Sequence, residues 1–368
     1  MAQPTQSVQH ELDAQILASG GTVMIIGGPD TGKTSTARRL LELAIDACIP
    51  AAMLDADPGQ VEVGLPFCIG LTLPRTRQEE HTPSGMAFVG SPSPANYIPE
   101  YLAAVRHMVD LARESLHGCE NERKIQNNLV IVDMPGFIHG VGARRLHQLT
   151  AEMIAPGHVI ALNRGSELNS ILAPMKSRSR LTVYSVQASA DITSRPAAFR
   201  EQRRAMRLST YFDNANICTF TLESIALSGA WLGGGTPIAP HLFTYLATAL
   251  ADYTRVYYAE QFGNHLGIMV SKPISEPCPA LGIAMEQFRA KEVTITRAPL
   301  LKNLVVGLEA DNGKLLGLGR ISAIDFKRRT IGILSPIRAS SAVHTIKFGG
   351  VRISDDGSQQ GLVRPGEI

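Results

Sequence analysis

Short apolar runs alternate with helical patterns over the first half of the chain. The apolar runs predict buried strands at residues 22–26, 51–54, 86–89, 129–132, 158–162 and 181–186. Between them, apolar residues recur at the spacing of an amphipathic helix, and these helical patterns cover about 37–48, 97–116 and 142–154. Strands that alternate with helices of this length are typical of parallel βαβ units, so the pattern predicts a doubly wound α/β sheet.

The pattern changes near residue 217, where β-rich stretches separated by Gly, Pro and Asn replace the alternation. These stretches include 304–308, 315–324 and 330–334, and a helix-like stretch at 241–257 interrupts them. We therefore predict a polar lead-in over residues 1–20, an α/β domain over 21–216, and a mostly β accessory region over 217–368. The first part of that last region could instead belong to the main sheet.

Composition excludes several classes of protein. The 368 residues carry 35 Lys+Arg and 33 Asp+Glu, a net charge of +2, so any nucleic-acid contact needs a local basic patch. No apolar run is long enough to span a membrane and the N-terminus lacks a signal-peptide pattern, so we expect a cytoplasmic protein that does not contact membranes. The five cysteines are scattered along the chain, which argues against a disulfide framework. The histidines do not have the spacing of metal ligands, which argues against a zinc site.

Residues 27–34 match the phosphate-loop pattern G-x-x-x-x-G-K-[ST] at every defined position. A predicted strand precedes the loop and a predicted helix follows it, so backbone N–H groups and the helix N-terminus would surround phosphate oxygens. Lys33 would neutralise the β- and γ-phosphates of ATP or another nucleoside triphosphate, and the Thr34 hydroxyl would hold Mg²⁺. The predicted nucleotide-binding residues are Gly27, Gly28, Pro29, Asp30, Thr31, Gly32, Lys33, Thr34 and Ser35.

Two carboxylates, Asp55 and Asp57, follow the second predicted strand. The carboxyl ends of strands in such a sheet form the ligand crevice. There, one carboxylate can hold Mg²⁺ while the other accepts the proton of an attacking hydroxyl. We expect Asp55 to be the more critical of the two, and a metal ligand with Thr34, because it directly ends the strand. An Asp-Pro-Gly turn with solvated acids is the alternative.

A phosphate loop followed by Asp-x-Asp-x-Gly-Gln at 55–60 resembles the polynucleotide 5′-hydroxyl kinases that act on RNA. This family includes the kinase subunit of the pre-mRNA cleavage factor, pre-rRNA-processing kinases and archaeal relatives. The resemblance continues through 62–66, 88–94 and 132–137. It implies Mg²⁺-dependent transfer of the γ-phosphate of ATP or another nucleoside triphosphate to the 5′-hydroxyl of single-stranded RNA, with DNA as a further acceptor.

The family's substrate clasp, Thr-x-Gly-Trp, corresponds here to Met134-Pro135-Gly136-Phe137. The threonine is replaced by methionine and the tryptophan by phenylalanine, whose ring can still stack on a base but offers less area. The resemblance therefore places Pro135, Gly136 and Phe137, together with Gln60, against the acceptor.

A helical pattern rich in arginine begins near residue 194, with Ser194 as its N-cap and Pro196 in its first turn. Its arginines share a face at helical spacing, namely Arg200, Arg203, Arg204 and Arg207. The family's lid motif, Arg-x-x-x-x-Arg followed by basic residues and Tyr-Phe, matches Arg195, Arg200 and residues 211–212. The resemblance implies that Arg195 and Arg200 act on the donor phosphates, and we expect Arg204 to bind substrate. A solvated basic face is the alternative.

Two other functions stay open. Residues 133–136 also fit the D-x-x-G pattern of a GTPase switch, although Asn163-Arg164-Gly165-Ser166 lacks the lysine and aspartate of a guanine-reading Asn-Lys-x-Asp. The altered clasp would also suit an ATP-binding scaffold with weak kinase activity in RNA processing.

Overall fold

The computed structural model describes residues 6–79, 82–123, 127–188, 196–275 and 277–368. Contacts between Cα atoms divide the chain into two compact units, Met1–Arg204 and Ala205–Ile368. The division lies inside a helix, Ala197–Phe212, whereas the sequence pattern places it after residue 216. Each unit has its own hydrophobic core.

The first unit is a sheet with helices on both faces. Its strands are β1 (Gly21–Gly27), β2 (Ala51–Asp55), β3 (Cys68–Thr72), β4 (Gly85–Phe88), β5 (Leu129–Asp133), β6 (His158–Asn163) and β7 (Thr182–Gln187). Its helices are α1 (Gln6–Ser19), α2 (Lys33–Asp46), α3 (Ile98–Arg123), α4 (Gly140–Ile154) and α5 (Asn169–Lys176), and α6 (Ala197–Phe212) continues into the second unit. The strand order is β4-β3-β2-β5-β1-β6-β7.

Alternate residues of β1 belong to different cores. Val23 and Ile25 pack with residues of α1 and α2, whereas Met24 and Ile26 pack with residues of α3, α4 and α5. Strands β2, β5, β1, β6 and β7 are parallel to their neighbours in this order. The predicted doubly wound α/β sheet is therefore confirmed.

Three features of this unit differ from the sequence pattern or add to it. The pattern does not reveal β3, because Gly70 interrupts its short apolar run. Strand β3 is antiparallel to β2 and β4 is antiparallel to β3, so this edge of the sheet is a hairpin and not a parallel unit. The lead-in contains α1, which buries Leu12 and Ile16 against the sheet.

The second unit contains two sheets. Its strands are β8 (Asn216–Thr221), β9 (Ala226–Ser228), β10 (Thr236–Pro237), β11 (Val256–Phe262), β12 (His265–Val270), β13 (Glu292–Arg297), β14 (Leu304–Glu309), β15 (Leu315–Asp325), β16 (Thr330–Ser335), β17 (Thr345–Ile353) and β18 (Gln359–Leu362), and its further helices are α7 (Pro240–Ala249) and α8 (Pro279–Gln287). The orders are β10-β11-β12-β13 and β18-β17-β14-β15-β16-β8. The strand-rich character of this region is confirmed.

Two expectations for this region are corrected. The helix-like stretch at 241–257 is wrong in its second half, because α7 ends at Ala249 and the β-branched and aromatic residues from Val256 onwards begin β11. The alternative that the start of the region joins the main sheet also fails, since β8 pairs with β16. Among the described residues, no helix is both long and apolar enough to cross a membrane.

Candidate active site

The phosphate loop connects β1 to α2 and is held by its own side chains. Helix α2 begins at Lys33 after Gly32, which has a φ of 91° that favours glycine. The Lys33 Nζ donates a hydrogen bond of 2.7 Å to the Gly28 carbonyl, and the Thr31 hydroxyl donates to the same oxygen at 2.9 Å. Lys33 and Thr31 are both buried. The lysine is thus fixed over the loop where phosphate oxygens would lie.

A third carboxylate, Asp133, ends β5 between β1 and β2. The Thr34 hydroxyl donates a 2.6 Å hydrogen bond to its Oδ2, and its Oδ1 is buried without a hydrogen-bond partner among the described residues. Burial raises the pKa of Asp133 to about 7, against the lowering effects of the Lys33 charge and the Thr34 hydrogen bond. The sequence analysis included Asp133 in the resemblance at 132–137 and in the D-x-x-G pattern but not among the site residues, although an acid that ends a buried strand was a usable signal.

Asp55 is buried and organises the loop that follows β2. Its Oδ2 accepts hydrogen bonds from the backbone N–H groups of Glu62 at 2.6 Å and Val63 at 3.1 Å. Its Oδ1 accepts from the N–H of Asp57 at 3.3 Å. These contacts hold both ends of the 56–63 loop against the carboxyl end of the strand.

Asp57 is half-buried, and its Oδ1 accepts a 2.9 Å hydrogen bond from the Gly59 N–H. Together with Gln60 it lines two cavities that adjoin at these side chains. The first, which we call the donor cavity, has a volume of about 540 Å³ and is lined by Asp30, Thr31, Gly32, Lys33, Thr34, Ser35, Asp55, Asp57, Gln60, Glu62, Asp133, Met134, Pro196, Phe199 and Arg203.

The second, which we call the acceptor cavity, has a volume of about 200 Å³. It is lined by Pro29, Asp57, Gly59, Gln60, Pro92, Ser93, Pro94, Pro135, Gly136, Phe137, Arg200 and Arg204. The clasp residues predicted to contact the acceptor thus lie in one cavity, and most of the predicted nucleotide-binding residues lie in the other. Residues 92–94 were not among the predicted site residues, although the resemblance covers them.

The clasp lies between the phosphate loop and α4. A Cβ on Gly136 would lie 3.0 Å from the Pro29 nitrogen, so only glycine allows this approach without displacement. Phe137 is half-buried and packs on the core, and its carbonyl oxygen lies 2.9 Å from Nε2 of His147. Burial lowers the pKa of His147 to about 4, so the ring is neutral near pH 7 and Nε2 carries the proton donated to Phe137. Its Nδ1 is buried without a partner among the described residues.

The arginine helix, α6, directs three arginines at the loops of the first unit. Arg200 Nη1 lies 3.6 Å from Oδ2 of Asp30, and Arg203 Nη1 lies 3.9 Å from Oε1 of Glu62. Arg204 Nη1 donates a 3.0 Å hydrogen bond to the carbonyl of Gly59. The predicted Ser194 and Arg195 lie outside the described residues.

In the structure, Asn163 at the end of β6 is not placed to recognise a guanine base. The side-chain amide of Asn163 is buried, and it donates to the Ala161 carbonyl at 3.1 Å and to the Ser185 hydroxyl at 2.8 Å. An amide engaged inside the sheet is not free to pair with a base. The D-x-x-G pattern at 133–136 therefore lacks the base-recognition partner that a GTPase switch needs.

Comparison with known proteins identifies relatives over nearly the whole chain. The family model of the mRNA cleavage and polyadenylation factor CLP1 P-loop matches residues 27–214. A polyribonucleotide 5′-hydroxyl-kinase of Methanocaldococcus jannaschii is 28% identical over 346 residues, which are 93% of this chain and 89% of the relative. The corresponding kinase of Thermococcus kodakarensis is 27% identical over 350 residues, 94% of this chain and 92% of the relative. The resemblance stated from the sequence is confirmed.

A solved structure of a wild-type Clp1p–Pcf11p complex has the same fold. It matches with a TM-score of 0.58 over 96% of this chain and 80% of the matched chain. The sequences are 15% identical, and a similarity at that level shows the fold alone.

Proposed function

Because the chain belongs to the CLP1 P-loop family, we propose that it is a polynucleotide 5′-hydroxyl kinase. It transfers the γ-phosphate of ATP or another nucleoside triphosphate to the 5′-hydroxyl of single-stranded RNA, with DNA as an alternative acceptor. One observation carries this proposal most strongly: a cavity lined by the phosphate loop adjoins a cavity lined by the clasp, and Asp57 and Gln60 belong to both.

Asp57 is the proposed general base. A base must reach the acceptor hydroxyl while the hydroxyl faces the γ-phosphate, and Asp57 lies where the two cavities meet. Asp55, which the sequence alone favours, has both carboxylate oxygens engaged by backbone N–H groups. We therefore assign Asp55 the role of fixing the loop that presents Asp57.

Thr34 and Asp133 are the proposed residues for Mg²⁺. Their oxygens are the donor type that this cation prefers, and the buried Oδ1 of Asp133 has no other partner among the described residues. When bound, Mg²⁺ supplies charge neutralisation on the β- and γ-phosphate oxygens. Lys33 adds a second positive charge, and the backbone N–H groups of residues 30–34 orient the phosphates.

Arg200 is the proposed cation for the charge that spreads over the transferred phosphoryl group. It lines the acceptor cavity and also lies beside the phosphate loop. A positive charge at that boundary stabilises the transition state more than either bound reactant. Arg204, held to the Gly59 carbonyl, fixes the wall of the acceptor cavity. A matching role for Arg195 stays a prediction.

The proposal is tested by transfer of labelled γ-phosphate to synthetic oligonucleotides. ATP, GTP, CTP and UTP serve in turn as donors, and matched RNA and DNA oligomers with a 5′-hydroxyl serve as acceptors. We expect label on the 5′ end of RNA, none on an oligomer that already carries a 5′-phosphate, and none with Lys33→Ala. Glu152→Gln is the matched control, because it removes an exposed ion pair with Arg178 in the same unit but outside both cavities. Release of inorganic phosphate with no labelled oligomer would exclude the kinase.

A further inference from the structure

The wall of the acceptor cavity continues onto α4. Phe137 lines that cavity, and a Cβ on Gly142, in the first turn of α4, would lie 3.8 Å from its Cζ and 3.8 Å from Cδ1 of Ile98 on α3. The ring of Phe137 therefore packs against the beginning of α4, on the side that faces α3. A strand whose first base stacks on this ring has the same side of α4 as its next surface.

The acceptor cavity is too small to enclose more than the end of a strand. Its volume is about 200 Å³, below the roughly 300–1,000 Å³ of cavities that enclose a drug-sized ligand. The nucleotides that follow the first one must therefore lie outside the cavity, on the surface that adjoins it.

Two side chains of α4 form that surface. Val141, next to Gly142, is apolar and 64% exposed. Arg145 comes four residues after Val141 and three after Gly142, so it shares their side of the helix and lies about 6 Å along the axis from Val141. Helical side chains lean towards the N-terminus of their helix, so Arg145 leans towards the clasp. We call Val141 and Arg145 the α4 surface.

Arg145 brings a positive charge to a part of the chain that has no acid. Its side chain is exposed and makes no ion pair or hydrogen bond with another residue that the structure describes. Residues 134–151 contain no Asp or Glu, and neither do residues 82–99, which supply positions 92–94 of the cavity wall. This side of the cavity therefore attracts anions. An apolar contact beside a positive charge suits a single strand, in which bases and phosphates alternate.

We propose that the α4 surface binds the second nucleotide of a single-stranded acceptor, an inference that rests on the proposed kinase function. Val141 packs against its sugar and base, and Arg145 pairs with the phosphate on its 3′ side. The surface accepts any sequence, because it contacts a backbone phosphate and no polar base edge. Acceptors of three or more nucleotides are therefore bound more tightly than a dinucleotide, which lacks that phosphate.

The test compares a dinucleotide with a hexanucleotide as 5′-hydroxyl RNA acceptors. KM and kcat for transfer of labelled γ-phosphate are measured for the wild type, Arg145→Ala and Arg145→Lys. Arg144→Ala is the matched control, because it removes the same charge from an exposed position of the same helix. Gln148, one turn after Arg144, donates a 3.1 Å hydrogen bond to the Ser170 carbonyl of α5, so this side of α4 faces away from α3.

We expect Arg145→Ala to raise KM for the hexanucleotide about fivefold more than KM for the dinucleotide, the upper range for an exposed ion pair. Arg145→Lys should keep most of the wild-type difference, because a point charge still pairs with a phosphate. Arg144→Ala should keep the wild-type ratio of the two KM values. Fluorescence anisotropy of a 3′-labelled hexanucleotide over a series of salt concentrations should give a slope of log Kd against log salt that is smaller by about 0.7 in Arg145→Ala.

An unchanged KM ratio in Arg145→Ala would mean that the strand leaves the cavity elsewhere, and the proposal would be overturned. An equally large effect of Arg144→Ala would also overturn it, because the loss would then be a general effect of charge. A wild-type protein that binds the hexanucleotide but transfers no phosphate would refute the proposed function instead. The anisotropy slopes would still decide whether the α4 surface binds the strand.

Discussion

The two aspartates after β2 have different surroundings, and this separates their expected roles. Asp57→Asn should lower kcat by a factor of about 10² to 10⁴, the usual contribution of a general base, with little change in melting temperature because the side chain is half-buried and the amide can still accept from the Gly59 N–H. Asp55→Asn should lower the melting temperature, since a neutral amide accepts the three backbone hydrogen bonds less well.

Steady-state kinetics and thermal unfolding of both variants, each against Glu152→Gln, separate the two effects. A normal kcat in Asp57→Asn together with an inactive but stably folded Asp55→Asn would reverse the assignment. The base would then be the residue that directly ends the strand.

The buried His147 should make the stability of the folded protein sensitive to acid. Burial lowers its pKa from 6.5 to about 4 in the folded protein, so between these values the unfolded chain binds a proton that the folded protein does not. Stability is therefore lost as pH falls below 6.5, by roughly 2 kcal/mol at pH 5. His147→Gln, which keeps a donor for the Phe137 carbonyl but does not titrate, should lose less stability over the same range.

Urea unfolding of the wild type and His147→Gln at pH 7 and pH 5 measures this difference. Thr150→Val, which removes another buried hydrogen bond of α4, is the control and should keep the pH sensitivity of the wild type. Equal losses in the wild type and His147→Gln would show that His147 does not titrate in this way.

The sequence predicts some of these residues and not others for a physical reason. The phosphate loop is local, so one strand, one loop and one helix are enough to identify Lys33 and Thr34. The contact between Thr34 and Asp133 joins residues 99 positions apart and depends on β5 lying beside β1. The contact of His147 with the Phe137 carbonyl could not be predicted from the sequence. A histidine on the apolar face of a helix has many possible partners, and the position of α4 beside the clasp is what selects this one.

Helix α1 contributes to the stability of the first unit, although the sequence pattern predicts only a polar lead-in there. Ile16 is fully buried with Val23 and Ile25, so Ile16→Ala should lower the free energy of unfolding by about 2–5 kcal/mol. The exposed Glu11→Ala on the same helix should change it by less than about 0.5 kcal/mol. Urea denaturation measures both.

The kcat of Ile16→Ala at 25 °C should equal that of the wild type, since none of the residues found to line either cavity belongs to α1. A loss of kcat with unchanged stability would instead give α1 a part in the reaction.

Element boundaries were predictable where an apolar run stops sharply, and not where the run is interrupted within the element or where no glycine or proline marks its end. The strands of the parallel part of the sheet were placed to within one residue at each end, because each predicted run stops at a glycine or a polar residue, namely Gly27, Asp55, Asp133, Asn163 and Gln187. In β3, Gly70 interrupts the short apolar run. The transition from α7 to β11 has no glycine or proline between Ala249 and Val256 to mark it.

For the molecule as a whole, the central claim is that phosphate passes directly from a nucleotide to a polynucleotide 5′ end where the two cavities meet. The chain has a clasp with phenylalanine instead of tryptophan, yet the half-buried Phe137 lines the acceptor cavity beside Gly136. A ring in that position can stack on the first base of a single strand. Because the phosphate passes directly between the two bound substrates, the reaction includes no phosphorylated form of the protein.

The stereochemical course at phosphorus tests this claim most directly. A donor whose γ-phosphorus is chiral through oxygen isotopes and sulfur is used to phosphorylate a 5′-hydroxyl RNA, and the configuration of the product is determined. Direct in-line transfer with Asp57 as base predicts inversion, because the attacking and leaving oxygens lie on opposite sides of the phosphorus. Retention would mean two successive displacements through a phosphorylated side chain, and would contradict the account.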